Sequence, residues 1–298
     1  MPGGVDLHTH TTASDGTYTP SELVAEASRR GVRVLAVTDH DSTEGLAEAM
    51  EAAARSRPLE ILPGIEINCD VEGAEVHVLG YLMDWQAPWF QEFCREQRRE
   101  RRERVHRMVE RLAVLGMPLE ADEIFSIVKE GSAGRPHVAQ VMVARGYVKT
   151  VREAFDKYLG SGKPGHVQRR KLTPEDAVRL IRKAGGVPVF AHPGLADRDA
   201  MIPALIDAGL MGVECYYTEH SAGQRAAYLQ ICKDHDLVAT GGSDFHGPKV
   251  RAATLGSPAV PMSAVEALRA KAALSRAATR PITERRLMSR PGWHGDQE

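Results

Sequence analysis

The chain has few of the residues that would cross-link it outside a cell or anchor it in a membrane. Its 298 residues include only four cysteines, which are widely spaced and form no CxxC pair. This scarcity argues against a disulfide scaffold and a cysteine-based zinc site, and favours a reduced, cytoplasmic protein. No apolar run reaches the roughly 18 residues of a membrane-spanning helix, and the N-terminus lacks a secretion-signal pattern. We therefore expect no membrane association.

Neither sign of charge dominates. There are 38 lysine and arginine residues against 40 aspartate and glutamate residues, a net charge of -2. A surface that is basic throughout is excluded, so long duplex nucleic acid is not an expected partner, although a local basic site is compatible. Aromatic residues are also scarce, at 5%. Against this background, twelve histidines beside six phenylalanines and three tryptophans are unexpectedly many.

Short apolar segments alternate with helical patterns along most of the chain. The segments that predict strands are residues 5–9, 32–38, 61–69, 76–82, 187–191, 212–216 and 237–240. They lack in/out alternation, which is typical of strands buried on both faces in a parallel sheet. Thr19 and Thr173, each followed by proline, predict helix N-termini between strands. The pattern predicts an α/β fold, and seven strands favour a barrel.

The region 88–171 breaks this alternation because it is helical almost throughout. Helices are predicted over residues 89–115, 120–129, 136–145 and 151–158. We interpret the region as a helical insertion in a barrel made of residues 1–87 and 172–281. Residues 282–298 are polar and contain proline and glycine, which predicts a flexible tail.

Six of the twelve histidines and three carboxylates lie at or near the ends of the predicted strands. They are His8, His10, Asp15, His40, Glu66, His77, His192, Asp244 and His246. His8 and His10 are two residues apart in an extended segment, so their side chains share one face. Strand C-termini of a parallel barrel converge on the face that carries active sites. Independent structural histidines would have no reason to gather there, so the set predicts a metal centre.

The number and type of these ligands limit which metals fit. Nine nitrogen and oxygen ligands are too many for one ion and suit two or three ions with bridging carboxylates. Imidazole and carboxylate without thiolate favour Mn²⁺, Zn²⁺ or Fe²⁺ over a site for Mg²⁺ alone. We expect Mn²⁺ first, with Zn²⁺, Fe²⁺ and Mg²⁺ as alternatives.

A run of arginine and glutamate residues occupies the first predicted helix of the insertion, between Arg95 and Arg111. Most of these arginines fit a solvated helix with i,i+4 ion pairs. The apolar stripe of the helix is Val105, Met108, Val109 and Leu112, and its N-terminal continuation passes through Arg102, Arg101, Arg98 and Cys94. Inward arginines need carboxylate partners or an anionic ligand, and the guanidinium fork suits phosphate.

Arg135 and His137 stand at the start of the next helix, in the sequence G-S-A-G-R-P-H. A helix N-terminus behind a glycine-containing loop is either an anion site or a simple cap. Together with Arg102, these residues predict that the insertion covers the metal face and binds a second phosphate of the substrate.

Several of the segments resemble the successive motifs of the PHP (polymerase and histidinol phosphatase) family of metal-dependent phosphoesterases. The resemblance spans residues 5–250 and rests on D-L-H-T-H, T-D-H-D, P-G-I-E, the isolated His77, A-H-P-G and S-D-F-H-G. Within the family, S-D-G-T, G-R-P-H, A-F-D-K-Y-L-G and Y-Y-T-E-H-S are similar to a bacterial subgroup. That subgroup contains nucleoside 3′,5′-bisphosphate phosphatases and 5′→3′ exoribonucleases that act on short RNA.

The resemblance implies a distorted seven-stranded (β/α) barrel with three metal positions. The first would be held by His8, His10, Glu66 and Asp244, the second by Glu66, His77 and His192, and the third by Asp15, His40 and His246. Asp15 stands where some family members have histidine, which makes the third position richer in oxygen.

The resemblance also implies a reaction. Asp15, His40, Glu66, Asp244 and His246 would be catalytic through their metals, with a metal-bound hydroxide attacking phosphorus in line. Arg102, Arg135 and His137 would hold the 5′-phosphate of a nucleotide or a short oligonucleotide.

The sequence leaves several points of this reaction open. His137, His220 or a metal-bound water could protonate the leaving oxygen. Asp39 and Asp41 would either orient His40 or participate directly. The rival activity is a histidinol-phosphate phosphatase, which needs a pocket for a cation and therefore conflicts with inward arginines. The rival outside enzymes is a metal-binding PHP domain without catalysis.

Overall fold

A computed structural model describes residues 4–55, 59–71, 74–128, 133–168, 172–248, 250 and 253–279. Within these residues, seven strands form one sheet in their order along the chain. The strands are β1 (Val5–Asp6), β2 (Val34–Val37), β3 (Glu60–Val71), β4 (Ala74–Tyr81), β5 (Val187–Phe190), β6 (Gly212–Tyr217) and β7 (Val238–Gly242). The prediction of seven strands is confirmed, with shifts of a few residues at their ends.

Helices pack outside and beside this sheet. In the barrel they are α1 (Pro20–Arg29), α2 (Gly45–Arg55), α7 (Pro174–Lys183), α8 (Pro193–Ala196), α9 (Ile202–Asp207), α10 (Ala222–Asp234) and α11 (Met262–Thr279). In the region 88–171 they are α3 (Pro88–Val114), α4 (Ala121–Val128), α5 (Arg135–Ala144) and α6 (Val151–Ala154). A π-helical turn, Phe155–Leu159, continues α6, and a 3₁₀ turn, Asp199–Met201, precedes α9.

The sheet is parallel except at β4, which runs antiparallel to both β3 and β5. The expectation of parallel strands throughout is therefore wrong at this strand. Val71 pairs with Ala74, so only two residues separate β3 from β4. A connection this short makes a hairpin, whereas a parallel neighbour needs a crossover of a dozen or more residues.

The first and last strands meet and bring the sheet round into a barrel. The Leu7 amide donates to the Gly241 carbonyl over 3.2 Å, the Asp244 amide to the His8 carbonyl over 2.9 Å, and the His10 amide to the Phe245 carbonyl over 2.9 Å. The predicted α/β barrel is confirmed. This seam places the segment after β1 beside the segment after β7, so ligand candidates from the two ends of the chain become neighbours.

The two predicted helix starts are confirmed by their caps. The Thr19 hydroxyl accepts from the Glu22 amide over 3.2 Å, and the Glu22 carboxylate accepts from the Thr19 amide over 2.8 Å. The Thr173 hydroxyl accepts from the Asp176 amide over 3.1 Å. These caps satisfy amide groups that the first helical turn cannot pair internally, and they define where α1 and α7 begin.

The region 88–171 has a hydrophobic cluster of its own. α3, α4 and α5 contribute to it through buried residues that include Met108, Leu112, Ile124, Val138 and Met142. The barrel buries two further clusters, one of which also contains Phe90 and Cys94 from the start of α3. The division into a barrel of residues 1–87 and 172–281 and an insertion of residues 88–171 stays a prediction. The cluster shared by α3, α4 and α5 supports it, while the start of α3 packs with the barrel. The predicted tail, 282–298, lies outside the described residues.

The described residues also allow a search for membrane-spanning helices and for disulfide bonds. Among the described helices, none combines the length and apolar character needed to cross a membrane. Cys69, Cys94, Cys215 and Cys232 all lie in described segments and are free, buried thiols.

Candidate metal centre

All nine predicted ligand residues lie at one end of the barrel. His8 and His10 follow β1, His40 follows β2, His192 follows β5, and Asp244 and His246 follow β7. Glu66 lies inside β3 rather than near its end, beside His40, with which it forms an isolated parallel bridge.

His77 reaches the same end by a different route. It was expected near a strand C-terminus, but it lies in the N-terminal half of β4, opposite Asn68 of β3. Because β4 runs antiparallel to its neighbours, its N-terminal half lies at the end of the barrel where the parallel strands terminate. The position agrees with the prediction although the assumed strand direction does not.

Glu66 is the centre of the cluster. Its Oε2 lies 3.2 Å from His8 Nε2, 3.2 Å from His10 Nε2 and 3.0 Å from His40 Nδ1. Its Oε1 lies 2.8 Å from His77 Nδ1 and 3.1 Å from His192 Nε2. One carboxylate therefore faces imidazoles on both of its oxygens, as a bridging ligand between two ions would.

The donor atoms fall into three overlapping groups in which all atoms lie within 4.8 Å of one another. They are His8, His10, Glu66 and Asp244; His40, Glu66 and His77; and His10, Asp15, His40 and His246. The first group has the membership predicted for the first metal. The second group contains His40 in place of the predicted His192, whose Nε2 lies 3.3 Å from His77 Nδ1. In the third the structure adds His10.

The buried donor atoms fit divalent cations. His8 Nε2, His10 Nε2, His40 Nδ1 and Glu66 Oε2 are buried and have no hydrogen-bond partner among the described residues. Burying a polar atom without a partner costs free energy, so native proteins rarely leave several together. Lone pairs that converge in this way are stabilised by a cation between them, and the nitrogen and oxygen donors match Mn²⁺, Zn²⁺ and Fe²⁺.

The electrostatics of the cluster also attract positive charge. Burial opposes ionisation of His8, but Glu214, Glu66 and Asp244 hold its pKa well above 6.5. Against the same opposition, the neighbouring carboxylates raise the pKa of His10 to about 9 and that of His77 to about 10. Burial would raise the pKa of Glu66, yet the surrounding imidazoles hold it well below 4.5. A divalent cation would take the place of these protons.

Backbone strain is concentrated at the centre. Asp41, His192 and Asp244 have φ values of 51°, 26° and 52°, in the left-handed region that most side chains avoid. Each such residue costs on the order of 1–3 kcal/mol, and such strain gathers at functional sites. Amide bonds hold the residues in place: Asp41 to the Glu66 carbonyl, Asp244 to the His8 carbonyl, and His192 to a Glu214 carboxylate oxygen.

Two residues that the sequence argument missed hold the ligands from outside. Glu214 of β6 is fully buried and contacts the His8 ring over 2.9 Å. Tyr217 donates its hydroxyl hydrogen to Asp244 Oδ2 over 2.9 Å. A carboxylate inside the otherwise apolar segment G-V-E-C-Y-Y was the available sequence signal for Glu214, since buried carboxylates need partners.

Asp39 and Asp41 have separate roles. Asp39 accepts from the Thr11 amide and hydroxyl, both over 2.7 Å, and from the Ser14 hydroxyl over 2.6 Å, and so shapes the loop between His10 and Asp15. Asp41 accepts from Arg101 Nε over 2.8 Å and from Nη2 over 2.6 Å. Their side chains thus organise the surroundings of the cluster, and Asp41 ties the insertion to the barrel.

The inward face of α3 carries Arg98, Arg101 and Arg104. Arg98 pairs with Glu44, Arg101 pairs with Asp41, and Arg104 donates to the Val167 carbonyl over 2.8 Å. The expectation that Arg102 faces inward is wrong: Arg102 is exposed and lies over the Phe125 ring at 4.0 Å. Val109 is only partly buried, so the buried stripe of α3 is centred closer to Arg104 than its apolar residues suggested.

Arg135 and His137, both in α5, make different contacts in the structure. Arg135 pairs with Glu75 and lines the cavity beside the metal cluster. His137 is buried, and its Nδ1 accepts from the Gly134 amide over 3.1 Å, as a helix cap. For His137 the cap interpretation is therefore the one that the contacts support.

His220 uses both of its ring nitrogens. Nδ1 donates to the Cys215 carbonyl over 3.2 Å, and Nε2 accepts from the Gly194 amide over 3.2 Å. Burial lowers the pKa of this histidine, so it is neutral and holds its single proton on Nδ1. It therefore has no free proton to give to a leaving group.

A cavity of about 320 Å³ joins the metal cluster to the insertion. All of the predicted ligand residues except His8 and His10 line it, and Arg101, Arg104 and Arg135 line it as well. Phe155 and Leu195 add apolar surface. The volume is at the lower end of the range typical of small-molecule sites. The cavity thus combines cation-binding carboxylates and imidazoles with anion-binding guanidinium groups.

Comparisons with known proteins find relatives over most of the chain. The family model of the PHP domain matches residues 6–109. The chain is 35% identical over 249 residues to the 5′-3′ exoribonuclease Rnm of Salmonella typhimurium, covering 82% of this chain and 85% of that protein. It is 37% identical over 250 residues to the 3′,5′-nucleoside bisphosphate phosphatase of Chromobacterium violaceum, covering 82% and 87%.

A solved structure shares the fold over most of its length. It is a chain from Bifidobacterium adolescentis assigned as a metal-dependent phosphoesterase, with a TM-score of 0.82 and 33% sequence identity. The match covers 91% of this chain and 98% of that one.

Proposed function

This chain belongs to the PHP family and is a metal-dependent phosphoesterase, and on that premise we propose that it acts on nucleotides carrying a 5′-phosphate. It removes the 3′-phosphate of nucleoside 3′,5′-bisphosphates and trims short 5′-phosphorylated RNA in the 5′→3′ direction. The names of the exoribonuclease and bisphosphate phosphatase relatives support these two substrates.

One observation carries the proposal. The cavity that contains the metal-ligand cluster also contains Arg101, Arg104 and Arg135 of the insertion. Metal ions would hold the phosphate that is cleaved, and a guanidinium group would hold a second one, because its fork binds phosphate bidentately. A substrate with two phosphates on one ribose matches a small cavity with two kinds of anion-binding group.

We assign the metal positions by residue as the motifs imply. His8, His10, Glu66 and Asp244 hold the first ion, Glu66, His77 and His192 hold the second, and Asp15, His40 and His246 hold the third. When bound, the ions neutralise phosphate oxygens and activate water for attack on phosphorus. Mn²⁺ is the proposed metal, and Zn²⁺, Fe²⁺ and Mg²⁺ are the alternatives.

The protein's own groups set orientation and proton positions. Asp39 fixes the loop that carries Asp15, and Tyr217 fixes Asp244. His220 holds its proton on Nδ1 against the Cys215 carbonyl. His137 accepts the Gly134 amide on Nδ1, and burial lowers its pKa. Both ring nitrogens of His220 are engaged, and the lowered pKa of His137 keeps that imidazole neutral and a poor acid, so we propose that the leaving ribose oxygen takes its proton from water.

Arg135 is the proposed ligand of the 5′-phosphate, in place of Arg102. It lines the cavity, whereas Arg102 lies over Phe125. The guanidinium groups of Arg101, Arg104 and Arg135 in the cavity also disfavour histidinol phosphate, because the ammonium group of that substrate would face like charges.

A phosphate-release screen in Mn²⁺ tests the proposal. Its substrates are adenosine 3′,5′-bisphosphate, AMP, histidinol phosphate and a 5′-phosphorylated oligoribonucleotide, the last also followed for release of 5′-mononucleotides. We expect the highest kcat/KM on the bisphosphate and the oligoribonucleotide. A preference for histidinol phosphate, or equal rates on AMP and the bisphosphate, would contradict it.

A further inference from the structure

Glu214 is a buried carboxylate that belongs to none of the three ligand groups. It lies in β6, is fully buried, and is flanked along the strand by Val213 and Cys215. Charged residues are almost never fully buried unless they are paired. Its partners therefore indicate what it does.

Both oxygens of Glu214 contact residues of the metal cluster. Oε1 lies 2.9 Å from His8 Nδ1, and Oε2 accepts from the His192 amide over 2.8 Å. A carboxylate only accepts hydrogen bonds, so in the neutral form that can bind a metal, His8 carries its hydrogen on Nδ1 and its lone pair on Nε2. That Nε2 lies 3.2 Å from Glu66 Oε2 and 3.5 Å from Asp244 Oδ1.

The bond to His192 acts on the backbone. His192 has a φ of 26°, a conformation that is unfavourable for a residue with a side chain. The bond from its amide to Glu214 supports this conformation, in which Nε2 of the ring lies 3.1 Å from Glu66 Oε1. Glu214 therefore places one imidazole on each side of Glu66.

We propose that Glu214 is a positioning residue that directs His8 and His192 at Glu66 and so prepares the first and second metal positions together. The inference rests on the metal assignment of the proposed function. An outer partner of this kind fixes the tautomer and orientation of a ligand, and its loss typically costs about 10–100-fold in metal affinity. Because Glu214 serves two ligands, its loss should weaken both positions.

The test compares Glu214→Gln with Cys215→Ala in the full chain without substrate. Glutamine keeps the shape of glutamate but can accept only one of the two bonds, because its amide group donates. Cys215 is the next residue of β6 and equally buried, so its replacement reports the effect of disturbing the strand alone. The readouts are Mn²⁺ affinity and stoichiometry by chelator competition, and the melting temperature with and without Mn²⁺.

We expect Glu214→Gln to bind Mn²⁺ roughly 10–100-fold more weakly, and to lose much of the metal-induced rise in melting temperature. Without metal its melting temperature should fall no further than that of Cys215→Ala. Unchanged affinity and stoichiometry, or an equal loss in Cys215→Ala, would overturn the inference.

If Glu214→Gln does not fold, Glu214→Asp carries the same test. It keeps two acceptor oxygens on a side chain that is one methylene too short to reach both partners, so weakened binding supports the inference and unaltered binding overturns it. Because no substrate is present, the result is separate from the proposed function, which fails if the loaded wild-type protein hydrolyses none of the phosphate esters.

Discussion

Arg135 of the insertion forms an ion pair with Glu75 of β4, the strand that also carries His77. Glu75 Oε1 accepts from Asn68 Nδ2 over 2.9 Å and lies 3.6 Å from His77 Nε2. Burial would raise the pKa of Glu75, but Arg135 and His77 hold it well below 4.5. The guanidinium proposed to bind phosphate is therefore already neutralised by a barrel carboxylate, and a substrate phosphate must compete with it.

Replacing Arg135 with alanine should weaken the binding of substrates that carry a 5′-phosphate. A hydrogen bond to a charged group contributes about 1.5–3 kcal/mol, which corresponds to an increase in KM of roughly 10–100-fold. The variant also leaves Glu75 facing the substrate without its partner. We expect little change for a substrate that has only the phosphate that is cleaved, as measured by steady-state phosphate release on both substrates.

Arg102→Ala is the matched control for this prediction. Its guanidinium lies over Phe125 rather than in the cavity, so the KM of both substrates should stay unchanged. If Arg102→Ala raised KM as much as Arg135→Ala, the assignment of the phosphate ligand would be wrong.

Replacing Glu75 with glutamine should have the opposite effect on KM. It removes the carboxylate that competes with phosphate and leaves Arg135 with its full charge. We expect a lower KM for the bisphosphate, measured at saturating Mn²⁺ because Glu75 also neighbours His77. A KM that rises under these conditions would show that Glu75 helps to bind the substrate.

The sequence was informative about the metal centre for a physical reason. Ligand side chains have to lie at strand ends, and a strand end can be located from a short apolar segment followed by polar residues. The direction of β4 was harder to predict, because burial on both faces looks the same in parallel and antiparallel strands. The relevant signal was the gap of only about six residues between the predicted strands 61–69 and 76–82, which is too short for the crossover that a parallel pair needs.

Contacts between distant residues were the part that could not be predicted. Glu214 and His8 are 206 positions apart, and their pairing depends on the closed barrel. The phase of α3 was misjudged because Val109 is apolar but only partly buried, which shifted the expected inward face from Arg104 to Arg102. The partial exposure of one apolar residue is decided by tertiary packing, and the periodicity of a single helix carries no information about that packing.

Replacing Asp244 with alanine should abolish hydrolysis and leave the fold intact. Asp244 Oδ1 lies 3.2 Å from His10 Nε2, so its loss removes a donor from the proposed first metal position. The fall in kcat/KM should exceed the roughly 10–100-fold that loss of an outer partner costs. Circular dichroism should show an unchanged fold.

Tyr217→Phe is the control for this variant, because it removes the hydrogen bond to Asp244 Oδ2 and keeps both the aromatic ring and Asp244 itself. It should retain most of the activity. Activity retained by Asp244→Ala would refute the assignment of this residue to the first metal.

Replacing Leu112 with alanine tests whether region 88–171 is a separate structural unit. Leu112 is fully buried in the hydrophobic cluster of the insertion, and a leucine-to-alanine change in a core costs about 2–5 kcal/mol. Hydrogen exchange followed by mass spectrometry should show faster exchange in α3, α4 and α5, with β2, β5 and β6 unchanged. Equal acceleration in the barrel strands would show that the two parts unfold together.

Removal of the metal should abolish activity and lower stability together. Imidazole and carboxylate donors converge on Glu66, and several of them lack hydrogen-bond partners among the described residues, so bound cations should stabilise the folded chain. At a free metal concentration 100 times Kd, one ion adds about 2.7 kcal/mol, which for a chain of this size raises the melting temperature by on the order of 5 °C. EDTA should remove both the activity and this rise, and excess Mn²⁺ should restore them, as followed by phosphate release and thermal denaturation on the same sample.

The Asp244→Ala variant is the control, since a site that has lost a ligand should show a smaller rise with Mn²⁺. Phosphate release that is insensitive to EDTA and to added Mn²⁺ would exclude a metal-dependent reaction, whereas a rise of the same size in Asp244→Ala would place the stabilising ion away from this cluster.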